Sequence, residues 1–339
     1  MKNNYYSELE KRVTKITQLR NILVIAQWDF STYLPYSAAE SKGKEIAALS
    51  SFISTLETDD EIELLINKSF QKSEYLDKWQ LQNLNLIAKT YRHGKAIDQS
   101  LQREYIEAST KCEFIWREAR LKNDFKKLEP YLDNVFNIIR EIASIKSKKF
   151  NKPKYESLLD QFDPDRKEDE LNKIFQHTKK HLPSLISQIL EKQKDYKIIP
   201  LSKSIDVKTQ EKISTRIAET IGFDFKKGRI DQSVHPFSTG RNDDVRITTK
   251  YDEVNILDNI YSVLHEAGHG LYLQNLPYKY KNQPVGDFQG MAFHESQSLF
   301  MEKQIGINKY FLEFLSKLLH DEFDIKGNEY SAENLSKAL

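Results

Sequence analysis

The chain contains 339 residues, of which 30% are charged and 39% are hydrophobic, and its formal net charge at pH 7 is +1. This balance gives no electrostatic field that would attract nucleic acid or an acidic membrane surface, so neither is expected as a partner. A single cysteine excludes an internal disulfide framework, and together with a polar N-terminus of mixed charge it predicts a cytoplasmic protein.

Few turn-forming residues and abundant Lys, Glu and Leu indicate a mostly helical protein, since only eleven glycines and nine prolines occur. Apolar residues recur at helical spacing along most of the first 221 residues. Pro183 is expected to kink or divide the helix in which it falls. In chain order, the helices predicted before residue 222 cover residues 4–30, 37–57, 59–70, 78–91, 99–122, 126–149, 168–194 and 207–221.

The character of the sequence changes at Gly222. Within residues 222–252, the alternating and β-branched run at residues 245–249 predicts one short strand. The free edge of such a strand is suited to hold an extended peptide. Two further helices are predicted over residues 253–275 and 288–305.

The first of these two helices carries the segment His265-Glu266-Ala267-Gly268-His269. Histidines four residues apart lie above one another on one helix face, so both imidazoles can bind one divalent ion. Glu266 lies beside such an ion and can take a proton from water as a general base, which is the HExxH pattern of metallopeptidases. A chance occurrence on an ordinary helix is the alternative interpretation.

A catalytic zinc ion usually has three protein ligands and one open position for water. Glu295 is predicted as the third ligand beside His265 and His269, because it lies on the next predicted helix, after a turn at Pro284-Val285-Gly286. The predicted cofactor is Zn2+, with Co2+ as a substitute ion. The alternative for Glu295 is a solvent-exposed carboxylate, since most glutamates on helices are exposed.

Three further side chains near this pattern are candidates for binding substrate. His294 could donate a hydrogen bond to an oxyanion or to a substrate carboxylate, and His235 stands in the irregular segment before the HExxH helix. Arg246 lies two residues after Asp244 on the predicted strand, so both side chains project from the same face. The alternative for this last pair is a structural ion pair.

Four motifs, in this order and spacing, resemble the carboxypeptidase Taq family of zinc metallocarboxypeptidases. The resemblance covers essentially the whole chain. It implies an almost wholly helical fold with a deep groove, a homodimer, and the release of single C-terminal amino acids from peptide substrates. The motifs are His235-Pro236-Phe237, Asp244-Val245-Arg246-Ile247-Thr248, His265-Glu266-Ala267-Gly268-His269 and His294-Glu295-Ser296-Gln297.

The resemblance also implies roles for individual residues. It implies that His265, His269 and Glu295 bind zinc and that Glu266 is the catalytic base. It also places three side chains at the substrate end of the groove, namely His235, Arg246 and His294.

The family's two later motifs, Ile/Tyr-Arg-x-x-Ala and Gly-x-x-Gln-Asp-x-His-Trp, do not occur in this chain. The resemblance implies that the arginine of the first motif holds the substrate's terminal carboxylate. We therefore expect a member whose C-terminal part is missing, and which either acts alone or is completed by a downstream polypeptide. The alternatives are a catalytically inactive remnant and a zinc endopeptidase or oligopeptidase.

The expected organisation is a single domain over residues 1–339, of the all-α class. It is mostly helical, with a small strand segment before the active-site helix. Residues 1–221 are expected to form a helical lobe, and residues 222–339 are expected to form the zinc-site segment.

Overall fold

The computed structural model describes residues 3–201, 204–252 and 254–338. The described residues are 72% helical, and they include one small three-stranded sheet. The predicted class, all-α with a small strand segment before the helix that carries the HExxH pattern, is confirmed.

The helices predicted from apolar periodicity are all present in the described residues, with ends that differ by a few residues. The helix that contains Pro183 is not divided there. A π-helix at Phe300–Ile305 follows α11 directly. The α-helices, numbered in chain order, are α1 (Asn4–Ser31), α2 (Ala39–Glu57), α3 (Asp60–Phe70), α4 (Lys78–Gly94), α5 (Gln99–Lys122), α6 (Phe125–Phe150), α7 (Lys154–Leu159), α8 (Glu168–Gln193), α9 (Val207–Thr220), α10 (Ile256–Gln274), α11 (Met291–Leu299), α12 (Lys309–Asp321) and α13 (Ala332–Ala338).

The chain folds into two compact units. One comprises Met1–Pro164 and Leu276–Gly290, and the other comprises Asp165–Asn275 and Met291–Leu339. The division into a lobe and a site segment between residues 221 and 222 stays a prediction.

The first unit has a core formed by α1, α3 and α4. Their apolar residues recur every three or four positions, so each helix turns one continuous stripe toward the others. Gln283, in the Leu276–Gly290 segment of this unit, hydrogen-bonds to α1, because its amide nitrogen donates to Glu10 O and to Thr14 Oγ1 at 2.9 Å each. The buried side chains of this core are Tyr6, Leu9, Val13, Ile62, Leu65, Ile66, Leu84, Ile87 and Tyr91.

The second unit contains a three-stranded sheet formed by β1 (Gly228–Gln232), β2 (Ser238–Arg241) and β3 (Asp244–Thr249). The strand order is β1-β3-β2, with β1 parallel and β2 antiparallel to β3. The predicted strand is therefore the central one, and the expectation that its own edge is free is wrong.

The remaining two strands escaped prediction because their sequences lack β-branched alternation. Gly240 has a φ of 89° and Asn242 a φ of 49°, and this backbone permits the tight connection from β2 to β3. The turn is tied to α10, since Asn242 N donates to Leu273 O at 3.0 Å.

The core of the second unit surrounds α10. This helix buries residues on most of its circumference, which is the pattern of a central helix and explains its strongly apolar sequence. The largest fully buried apolar side chains of this unit come from α9, β3, α10, α12 and α13, and they are Ile213, Ile217, Ile247, Ile260, Leu264, Leu312, Leu315, Leu319 and Leu335.

The amphipathic helix α8 differs from the rest of the second unit, because none of its residues is buried. Its apolar stripe is exposed to solvent: Ile174, Phe175, Leu185 and Leu190 are 52–62% exposed. Among residues 3–201, 204–252 and 254–338, none of the helices combines the length and the apolarity needed to cross a bilayer.

Candidate metal centre

Helix α10 brings the two histidines of the HExxH pattern to one face. The ring centroids of His265 and His269 are 5.0 Å apart, and the ring planes are inclined by 82°. The His265 side chain is 23% exposed, whereas the His269 side chain is 8% exposed. The pair is thus anchored in the core of the unit and reaches the surface at one end.

Glu295, on α11, faces both histidines. One carboxylate oxygen lies 3.4 Å from Nε2 of His265, and the other lies 3.4 Å from Nε2 of His269. One ligand atom from each of the three residues can be chosen so that all lie within 4.8 Å of one another.

Each of the two 3.4 Å distances is close to that expected between two ligand atoms of a tetrahedral metal ion. Two ligand atoms that are each about 2.0–2.1 Å from one zinc ion are about 3.3–3.4 Å apart in a tetrahedral arrangement. The donor set of two imidazole nitrogens and one carboxylate is also one that zinc accepts, with a fourth position left for water. The residues present therefore fit the divalent ion that the HExxH pattern predicts.

Gly268 allows α10 and α11 to approach closely enough for this arrangement. A Cβ atom at this position would lie 2.8 Å from Gln297 O and 2.8 Å from Ser298 Cα. Both are backbone atoms of α11, the helix that carries Glu295, so any larger residue would push the third ligand away from the histidines.

Burial keeps His269 neutral. Desolvation lowers its pKa to about 3, and the proximity of His294 and His265 acts in the same direction. The His294 ring stacks on the His269 ring with centroids 4.1 Å apart and planes inclined by 25°. A neutral imidazole held in this way has a nitrogen lone pair available to a metal ion.

Glu266 is 7% exposed, and burial raises its pKa to about 7. Its carboxylate also receives a hydrogen bond from the side chain of Ser238, which lowers the pKa and offsets part of this effect. A divalent ion at the neighbouring site would lower it further. Ser238 belongs to β2, one of the strands that the sequence did not predict.

A second partner that the sequence analysis missed is Glu302. His265 Nδ1 lies 2.8 Å from Glu302 Oε2. Burial raises the pKa of this carboxylate, but hydrogen bonds from Lys303 and His265 bring it below its ordinary value, so it is an ionised acceptor.

The three predicted substrate residues occupy different surroundings. His235 is exposed, His294 is buried beside His269, and Arg246 forms a bidentate ion pair with Asp244 at 2.9 and 3.1 Å. The ion pair named as the alternative interpretation of the Asp-Arg motif is thus present. The substrate roles of these residues stay predictions.

A family model described as carboxypeptidase Taq (M32) metallopeptidase matches residues 8–339. The chain belongs to this family. The resemblance inferred from the four motifs is therefore confirmed, and so is the predicted class of enzyme, a metallocarboxypeptidase that hydrolyses peptides. Membership also implies a divalent metal and peptide substrates.

Named relatives agree with this assignment. Carboxypeptidase 1 of Bacillus subtilis is 28% identical over 338 residues, a match that covers 99% of this chain and 67% of the relative. Thermostable carboxypeptidase 1 of Thermus thermophilus is 29% identical, with 89% of this chain and 61% of the relative covered. The chain thus spans about two thirds of the length of these curated relatives.

The fold agrees as well. The solved structure of Trypanosoma cruzi metallocarboxypeptidase 1 superposes with a TM-score of 0.92 at 30% sequence identity, and the match covers 99% of this chain and 68% of that one.

Proposed function

We propose that this chain is a zinc-dependent carboxypeptidase that releases single C-terminal amino acids from peptides. We assign His265, His269 and Glu295 as the metal ligands and Glu266 as the catalytic base. The observation that carries this assignment is the position of the Glu295 carboxylate, 3.4 Å from Nε2 of both histidines.

Zinc is the proposed ion because the set of two nitrogens and one oxygen matches its usual catalytic sites, and Co2+ is the proposed substitute because imidazole and carboxylate ligands also bind it. When bound, the ion would polarise the scissile carbonyl and lower the pKa of water at the open position.

The chain's own contribution to proton transfer is assigned to Glu266. Its carboxylate accepts a proton from the attacking water and delivers it to the nitrogen of the leaving amino acid. This carboxylate is buried, hydrogen-bonded by Ser238 and close to the charges of His265 and Glu295. Loss of the carboxylate charge should therefore stop turnover and leave the ligand set intact.

The substrate is proposed to lie along β2. This strand has β3 on one side, and it carries Ser238, the partner of the proposed base. An extended peptide can add to an exposed sheet edge through main-chain hydrogen bonds, which would bring its scissile bond toward Glu266.

Three further side chains are proposed to line the substrate end: His235, Arg246 and His294. A free carboxylate is recognised best by a bidentate arginine. Arg246 already donates to Asp244 in that way, so it could take this role only by exchanging one carboxylate for another.

A homodimer and a cytoplasmic location are also proposed. The first rests on the family resemblance, and the second rests on the single cysteine, which suits a reducing compartment.

The experiment is digestion of an unblocked peptide of known sequence, followed by mass spectrometry, with protein loaded with zinc or cobalt. The matched control is Glu266→Gln, which keeps the shape of the side chain but removes its basicity. A second control is the same peptide with an amidated C-terminus.

Stepwise loss of single C-terminal residues by the wild type, absent with Glu266→Gln and slow on the amide, is the expected result. Internal cuts would instead identify an endopeptidase. If the metal-loaded chain cleaves no peptide at all, the proposed activity is wrong for this chain.

A further inference from the structure

The structure gives His265 a hydrogen-bond partner outside the proposed ligand set. Its Nδ1 atom lies 2.8 Å from Oε2 of Glu302, a residue of the π-helix Phe300–Ile305. The Glu302 side chain is only 17% exposed, so the contact is shielded from bulk water.

Several contacts fix the π-helix against α10. Tyr261, one turn before His265 on α10, donates a hydrogen bond from its hydroxyl to Gly306 O at 2.7 Å. A Cβ atom at Gly306 would lie 2.9 Å from Leu264 Cδ1 and 2.9 Å from Tyr261 Cε1, so the two segments are in close contact. Short π-helical turns are rare and occur frequently at functional sites.

The two proposed histidine ligands are held in different ways. His269 is 8% exposed and is stacked on His294, so packing restrains its ring. His265 is 23% exposed, and its ring meets the His269 ring edge-on. A ring that packing restrains less depends more on a directional hydrogen bond.

We propose that Glu302 is a positioning residue that orients His265 toward the metal. Its carboxylate accepts a hydrogen bond from Nδ1–H, which selects the tautomer whose Nε2 lone pair faces Glu295. Carboxylate partners of this kind fix the tautomer and the ring orientation of metal-binding histidines and raise their basicity. This inference rests on the proposed metal site.

The first test uses the metal-free protein. Nitrogen-15 chemical shifts of His265, assigned with a His265→Asn variant, should show the proton on Nδ1 in the wild type. In Glu302→Ala, the shifts should move toward a mixture of the two tautomers. This measurement needs no bound metal, so it stays informative if the proposed ligand set is wrong.

The second test is zinc affinity, measured by competition with a chromogenic chelator. Glu302→Ala should weaken binding by about 10- to 100-fold, as is typical when the partner of a ligand histidine is removed. Glu302→Gln should weaken it by less, because the amide oxygen still accepts from Nδ1–H. Glu219→Ala, an exposed glutamate on α9, is the matched control and should bind as the wild type does.

Thermal melting of each variant shows whether it is folded. If folded Glu302→Ala keeps both the wild-type tautomer and the wild-type zinc affinity, Glu302 does not position His265. If the wild type itself binds no zinc while its His265 tautomer depends on Glu302, the metal site is wrong but the orienting contact stands.

Discussion

The close approach of α10 and α11 at Gly268 can be tested by adding a single methyl group. In Gly268→Ala, the new Cβ would lie 2.8 Å from Gln297 O and from Ser298 Cα, and 3.2 Å from Met301 Cβ. The two nearest atoms belong to the backbone of α11, so no side-chain rotation can remove the clash.

The expected change in the free energy of unfolding follows from comparison with Gly43, a second glycine within a helix. Replacement of glycine by alanine within a helix contributes about 1 kcal/mol through helix propensity. At Gly43, on α2, the new Cβ would lie 3.4 Å from Thr110 Cγ2, which is ordinary van der Waals contact. Gly43→Ala should therefore stabilise the chain by about 0.5–1 kcal/mol.

At Gly268 the same gain is opposed by overpacking, which typically costs about 1–3 kcal/mol. Because the propensity gain is common to both substitutions, the difference between them isolates the clash and should be about 1–3 kcal/mol. The assay is urea denaturation of the metal-free variants. Gly268→Ala should also weaken zinc binding roughly tenfold or more, because the carboxylate of Glu295 moves away with α11.

A Gly268→Ala protein as stable as Gly43→Ala would refute this reasoning. It would mean that α11 yields without cost, and the geometry of Glu295 could then not be attributed to the small side chain at position 268.

Three other outcomes are expected. Burial lowers the pKa of Lys146 to about 8 from 10.5, so the folded chain binds fewer protons than the unfolded chain between these values. The free energy of unfolding of the chain should therefore rise from about pH 8 to pH 10.5 in urea titrations. Lys146→Met should remove that rise, whereas the exposed control Lys148→Met should keep it. Metal analysis should find about one zinc ion per chain in the wild type and in Glu266→Gln, but much less in Glu295→Ala. Equal amounts of zinc in all three proteins would remove Glu295 from the ligand set. Exposed apolar residues on α8 should cause self-association that depends on concentration. Leu185→Glu should reduce this association in sedimentation velocity runs. A wild type that stays monomeric would contradict the prediction.

Most of the helical framework follows from sequence because apolar periodicity is a local property. The stripe of Leu9 and Val13 on α1 is visible without knowledge of any other segment, and the same holds for α10. The HExxH pattern is equally local, since one helical turn determines the relation between its histidines.

The parts that sequence reasoning missed depend on contacts between distant segments. Ser238 lies in a strand without β-branched residues at alternate positions, so nothing local distinguishes it as the partner of Glu266. Glu302 carried one usable signal, because a residue seven positions after Glu295 lies near the same helix face. Its partner His265 could not be inferred, since a π-helix intervenes and the contact joins separate helices.

The Asp244-Arg246 motif shows a different limit. The spacing of two residues on a strand correctly indicates that both side chains share a face, and the ion pair is present. Whether Arg246 exchanges this partner for a substrate carboxylate depends on relative affinities, which residue spacing does not determine.

The central claim is that His265, His269 and Glu295 hold one catalytic metal ion beside Glu266. Anomalous diffraction from crystals of the zinc-loaded protein, collected on both sides of the zinc absorption edge, tests it most directly. One zinc site is expected, with both Nε2 atoms and the Glu295 carboxylate at about 2.0–2.2 Å and Glu266 outside the ligand set. A zinc ion bound by Glu266 in place of Glu295, or bound elsewhere in the chain, would contradict the account.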